Sequence, residues 1–162
     1  MAKVKTNAMR ILDTQKVPYE ILTYDSKDGK IDGVAVAGKI GREASQVYKT
    51  LVAVGASKGL YVFVIPVESE LDLKKAAKEA CEKKVEMLPV KDIQKFTGYI
   101  RGGCSPIGMK KNYPTFLDES AQELETIIVS AGKIGFQVEL APEQLIQATE
   151  GKYADLVTVK RG

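Results

Sequence analysis

The sequence predicts an α/β domain organised around a mixed β-sheet. Three observations carry this. Residues 47–54 and 60–67 are apolar, β-branched runs on either side of the turn Ser57-Lys58-Gly59, the pattern of a hairpin at the centre of a sheet. Residues 71–84, LDLKKAAKEACEKK, place Leu73, Ala76, Ala77 and Ala80 at i, i+3, i+4 and i+7, one face of a helix with lysines and glutamates on the other. LETIIVSAG, residues 124–132, reads as a further strand closing on Ser130-Ala131-Gly132.

The remaining elements follow in order. Residues 6–15 form a helix capped by Thr6 or Asn7, with Met9, Ile11 and Leu12 as its apolar stripe. Pro18 precedes a strand over 19–24, and the polar DSKDGKIDG is a loop. GVAVAGKIG, 33–41, is short enough for either helix or strand; its small residues and Gly41 favour a helix. After the hairpin and the 71–84 helix, whose apolar side includes Cys81, come a short strand over 85–88 and a helix over 89–96 with Ile93 and Phe96 inward. Residues 113–120 are extended, which would point the neighbours Asp118 and Glu119 to opposite faces as structural or rim residues. IGFQVEL is a strand, Pro142 opens a last helix ending before Gly151, and 153–159 is a final strand or extended tail. No repeat and no linker is visible, so residues 1–162 read as a single domain.

Composition narrows the chemistry. An apolar fraction of 44% and a charged fraction of 28% are those of a globular domain. A net charge of +3 permits a polyanionic partner without demanding one. No apolar run approaches the ~20 residues of a membrane span, and the N-terminus lacks a signal-like apolar core. Two cysteines, Cys81 and Cys104, make no disulfide framework and fit a cytoplasmic setting. The chain has no histidine. That removes Ser-His-Asp and Cys-His catalysis and the HExxH zinc motif, and with two distant cysteines it argues against a zinc site. No metal and no cofactor is expected. Chemistry must come from lysine, carboxylates, hydroxyls, backbone groups or the substrate.

Thr97–Lys111, TGYIRGGCSPIGMKK, is the stretch richest in special residues. It holds Gly98, Gly102, Gly103 and Gly108, four of fourteen glycines, with Pro106. Such a loop brings backbone N–H and C=O groups close to a neighbour or a ligand. A tight structural turn and a binding loop both fit. It matches neither a P-loop nor a dinucleotide fingerprint.

Taken together and in order, KTNAMRILD, YKTLV, ELDLKKAAK, KKVEML, TGYIRGGCSPIGMKK, and DESA followed by IIVSAGKIGFQVEL resemble the YbaK/EbsC family across nearly the whole chain. The same domain is similar to the editing insertion of bacterial prolyl-tRNA synthetases. The resemblance implies a compact α/β domain with a mixed, partly barrel-like sheet and helices outside. It implies a trans-editing aminoacyl-tRNA deacylase that removes cysteine from Cys-tRNA(Pro), and from Cys-tRNA(Cys). Its partners would be the acceptor end of an aminoacyl-tRNA and prolyl-tRNA synthetase. An Ala-tRNA(Pro) deacylase and a non-catalytic binding module stand as alternatives.

Residue by residue, the resemblance makes Lys49 a required cation and Gly102 and Gly103 oxyanion-stabilising backbone. Thr50, Ser130 and Gly132 become pocket walls, and Tyr24 a rim aromatic. By pattern alone each has a plainer role: a solvated lysine, a tight turn, strand packing, a core tyrosine. Cys104 is not read as a nucleophile, since no histidine is present to lower its pKa. The basic pairs Lys74-Lys75, Lys83-Lys84 and Lys110-Lys111 are candidates for RNA contact or plain solvated faces.

Overall fold

A computed structural model describes residues 5–158. Polar side chains start three of its helices. Thr6 accepts a hydrogen bond from Met9 N–H and starts α1 (Asn7–Thr14); Asp32 accepts from Ala35 N–H and starts α2 (Gly33–Lys39). Asp72 accepts from the N–H groups of Lys74 and Lys75 and starts α3 (Leu73–Ala80). α4 spans Val90–Thr97, and α5 spans Pro142–Thr149 with its proline at the first turn.

The expected hairpin is present. β2 (Tyr48–Gly55) runs antiparallel to β3 (Leu60–Pro66) in the middle of a five-stranded sheet. β4 (Val85–Met87) adds to β2, while β5 (Thr115–Asp118) and β8 (Lys152–Ala154) extend the other side as parallel strands, in the order β4-β2-β3-β5-β8. β1 (Glu20–Thr23), β7 (Phe136–Leu140) and β6 (Ile127–Lys133) make a second, antiparallel sheet. The sequence reading of one mixed sheet thus becomes two. A parallel bridge from Val47 to Ile128 joins them. They share a core without closing into a barrel among the described residues.

β3 explains why they share it. Side chains alternate along a strand. Val62 and Val64 pack with Met9 and Leu12 of α1 and with Val129 and Val138 of the second sheet. Phe63 and Ile65 face the other way, onto Ala76 and Ala77 of α3. Phe63 stacks on Phe116, with ring centroids 5.4 Å apart. Each fully buried aliphatic or aromatic side chain contributes about 1.5–3 kcal/mol.

Expectations at several element ends are corrected. α3 stops at Ala80, because Cys81 takes the left-handed conformation and ends it. Cys81 is consequently exposed and is not part of the core, and Leu73 at the other end is 42% exposed. Glu119 does not continue the strand. It opens a 3-10 turn over Glu119–Glu123, and buried Asp118 caps that turn through Ser120 N–H and also accepts from Leu156 N–H. Hence β6 begins only at Ile127. Of the expected last strand, Lys152–Ala154 is formed and Val157 makes one bridge to Leu71; residue 159 lies outside the described residues.

Candidate active site

A cavity of about 670 Å³ opens where the two sheets diverge beyond the Val47–Ile128 bridge. β4 covers only Ala53–Gly55 of β2. Between that pairing and the Val47–Ile128 bridge, Lys49–Leu51 lacks a strand on that side, and with Val47 and Tyr48 it forms one wall. Ser130 and Gln137, register partners on β6 and β7, form a second wall. The approach to α2 and its first turn (Gly29, Ile31, Asp32, Val34, Val36) form a third, and Arg101, Gly102 and Cys104 of the glycine loop close the fourth.

Lys49 is half-buried, and that burial pulls its ammonium below the usual 10.5, with the negative charge of Glu70 opposing the shift. No carboxylate among the described residues lies within 4.0 Å of its Nζ. The Thr50 hydroxyl beside it is buried and has no hydrogen-bond partner within the described chain. The wall thus offers a cation with no carboxylate partner among the described residues, and behind it a buried hydroxyl whose hydrogen-bonding capacity is unused. Cys104 also lines the cavity, and burial pushes its thiol up to about 11. That keeps it protonated near neutral pH, so it is no ready nucleophile.

The glycine loop is ordered by its own polar contacts. Thr97 Oγ1 accepts from Tyr99 N–H, the Tyr99 hydroxyl donates to the Ile107 carbonyl, and Ser105 Oγ accepts from Ile107 N–H. Gly102 faces the cavity with φ +86°, and its N–H has no partner among the described residues. Gly103 turns away from it. Its N–H donates to the Ile100 carbonyl at 3.0 Å, and a Cβ there would sit 2.9 Å from the Ile134 nitrogen in the β6–β7 turn.

Of the seven residues singled out from sequence, Lys49, Thr50, Gly102 and Ser130 line one cavity. Gly103, Gly132 and Tyr24 are not among its lining residues. Gly132 packs on the ring of Tyr99. Tyr24 lies under Lys39 Nζ, 5.8 Å from its ring centroid. That same ammonium donates to the Asp25 and Lys30 carbonyls and to Asp28 Oδ1 at 2.6–2.9 Å, pinning the loop that supplies Gly29 and Ile31.

The model of the aminoacyl-tRNA editing domain matches residues 32–148, a span that runs from the cap of α2 into α5 and contains the whole cavity wall from Asp32 to Gln137. The chain belongs to the aminoacyl-tRNA editing domain family. It is 52% identical over 154 residues to EbsC of Enterococcus faecalis, named as a candidate Cys-tRNA(Pro)/Cys-tRNA(Cys) deacylase, covering 95% of this chain and 94% of EbsC. It is 28% identical to a proline–tRNA ligase of Shouchella clausii over 78% of this chain and 22% of the ligase. A solved structure described as a candidate trans-editing enzyme for prolyl-tRNA synthetase shares the fold, with a TM-score of 0.83 over 97% of this chain and all of that one, at 23% identity.

This editing domain also places residues at the cavity that the sequence reading did not single out as site residues. Gln137 is 6% exposed and opposes Ser130. Its signal was a lone amide in the apolar run FQVEL. Arg101 was visible within the glycine loop but carried no pattern of its own. The α2 wall was not detectable, because small apolar residues at helical spacing look the same whether they face core or cavity. Among the described residues no group of three or more His, Cys, Asp or Glu is arranged to hold a metal, and no helix is long and apolar enough to cross a membrane.

Proposed function

We propose that this editing domain is a trans-acting deacylase that releases cysteine from mischarged Cys-tRNA(Pro), and from Cys-tRNA(Cys), in the cytoplasm. The reading takes residues 1–162 as one such domain. Prolyl-tRNA synthetase is its partner and supplies the tRNA selectivity. The observation that carries it is the character of the cavity. Lys49, Thr50, Ser130 and Gly102 converge there with no histidine, and the lining carboxylate, Asp32, is engaged as the cap of α2. A site without a free general base suits a substrate that brings its own nucleophile. The 52% identity to EbsC supports the same substrate class.

In this mechanism the thiol sulfur of the bound cysteine attacks its own ester carbonyl carbon. A C–S bond forms and the ester C–O bond breaks. The thiol proton ends on the departing ribose oxygen, giving uncharged tRNA and a thiolactone that water then opens to cysteine. Gly102 N–H and the Lys49 ammonium stabilise the oxyanion, and Thr50, Ser130 and Gln137 hold the amino acid in a reactive pose. Gly103 and Gly132 act one layer out by holding the glycine loop and Tyr99, and Tyr24 supports the loop at the cavity rim.

The test presents purified protein with Cys-tRNA(Pro) and Ala-tRNA(Pro), with and without prolyl-tRNA synthetase, beside Lys49→Ala. Cysteine release that falls by roughly 10²–10³ in the variant is expected, the range seen when one oxyanion donor is removed. Alanine release at a comparable rate would discard the thiol-assisted step in favour of an alanine-editing enzyme. Release of neither amino acid would leave a binding module.

A further inference from the structure

The positive surplus of this protein comes from one stretch of its chain. α4 and the glycine loop, residues 90–112, carry Lys91, Lys95, Arg101, Lys110 and Lys111 against one acid, Asp92. That is a surplus of four in a chain whose whole surplus is three. All five cations are exposed, and among the described residues none lies within 4.0 Å of a carboxylate.

In each of the other two lysine pairs one member is held by a carboxylate. Lys75 is bonded to Asp155 and to the Val157 carbonyl, and Lys84 pairs with Glu86. Tertiary contacts bring the 90–112 cations together. Lys91 and Lys95 are one helical turn apart on the same side of α4. Lys110 donates from Nζ to the Lys95 carbonyl at 3.1 Å and from its backbone N–H to the Thr97 carbonyl at 3.0 Å. Lys111 follows it. Arg101 lies in the same loop and lines the cavity.

A group of cations without carboxylate partners that reaches from a helix to the lip of a cavity fits a polyanion whose end enters that cavity. We infer that the α4–glycine-loop face binds the phosphates of the tRNA acceptor stem, with Arg101 at the point where the strand turns into the site. The inference rests on the deacylase reading above. It adds which surface carries the RNA. Contacts of this kind supply affinity through counterion release and read no sequence, which is consistent with a domain that leaves tRNA identity to a partner.

The experiment measures binding of uncharged tRNA to the whole protein by fluorescence anisotropy from about 50 to 200 mM salt, the range over which phosphate binding weakens steeply. It compares wild type with Lys91→Gln/Lys95→Gln/Lys110→Gln/Lys111→Gln and with a control of equal charge change, Lys58→Gln/Lys74→Gln/Lys78→Gln/Lys83→Gln. Melting curves confirm that each is folded. The patch variant should bind at least about tenfold more weakly at low salt, and its salt slope should fall by roughly one for each phosphate that it no longer neutralises. The control should stay within about threefold.

Deacylation should show the same split. KM for full-length substrate rises in the patch variant, kcat holds, and an aminoacyl ester on a short 3′-terminal oligonucleotide is turned over unchanged. Equal weakening in patch and control variants, or none in the patch variant, would overturn the assignment. So would patch-dependent binding to prolyl-tRNA synthetase with none to tRNA, which would mark the face as a protein-docking surface. Because binding is read with uncharged tRNA, loss of the deacylase reading alone would leave this result standing.

Discussion

Arg42 and Glu139, far apart in sequence, form a bidentate ion pair, Nη1 to Oε2 at 2.8 Å and Nη2 to Oε1 at 2.7 Å. Thr126 Oγ1 and Gln46 Nε2 also donate to Oε2, at 2.6 and 3.2 Å. The carboxylate is 10% exposed. The pair fastens the chain leaving α2 to β7, and so fixes the helical wall of the cavity against the wall that carries Gln137.

Removing one partner leaves the other charge poorly solvated. Exposed pairs are worth about 0–1 kcal/mol and buried ones cost about 3–5 kcal/mol to break. For this half-buried pair, Arg42→Ala should lower stability by about 2 kcal/mol, read from the urea midpoint at pH 7.

The same group gives a pH dependence. Burial raises the Glu139 pKa, but the hydrogen bonds from Thr126 and Arg42 outweigh it and hold the carboxyl below its ordinary 4.5. A depressed carboxyl stabilises the fold above the unfolded value and loses that contribution as pH falls through the folded value. Stability should decline as pH drops below 4.5. In Glu139→Gln that part of the decline should disappear, at the cost of lower stability at pH 7. An unchanged acid limb in the variant would assign the loss to other carboxylates.

Thr50→Val separates binding from folding. The Thr50 hydroxyl is buried without a partner in the described chain, so an isosteric methyl should leave the melting temperature unchanged or slightly raised. Activity should fall with a rise in KM if that hydroxyl meets substrate. A destabilised Thr50→Val would mean that the hydroxyl is already satisfied in the free protein.

Gly132→Ala should cost about 2–3 kcal/mol. Its φ of +99° is costly for a side chain by ~1–2 kcal/mol, and a Cβ would sit 2.7 Å from Tyr99 Cε1. Tyr99 cannot swing aside freely, because its hydroxyl is bonded to the Ile107 carbonyl. Thermal denaturation measures the loss, and faster amide exchange over 99–108 should accompany it.

The two thiols should react at very different rates. Cys81 is exposed, whereas Cys104, raised to about 11, holds roughly one thiolate in a thousand at pH 8. Iodoacetamide with peptide mapping should label Cys81 first. Rapid labelling of Cys104 would reveal an activated thiol in the cavity.

Much of the local structure was legible in the chain. The β2–β3 hairpin, the Thr6 cap, Gly41 after α2 and the proline at the start of α5 follow from neighbours within one or two turns, where propensity and capping act. Lys49 and the glycine loop were marked by residue type and by likeness to a family. The rest depended on packing between distant stretches of chain. Alternation along 60–67 announces a strand buried on two faces, but it does not say that one face would meet α3 and the other a second sheet. Nothing local marks Cys81 as a left-handed helix end.

By itself the sequence marked most of the helices and strands, and its lack of histidine excluded histidine-based chemistry. Only the tertiary structure decided that Thr50, Ser130 and Gln137 line one cavity while Gly132 and Tyr24 do not. Register and strand order are settled by packing between distant segments, and a one-residue slip would turn each of those side chains to the opposite face.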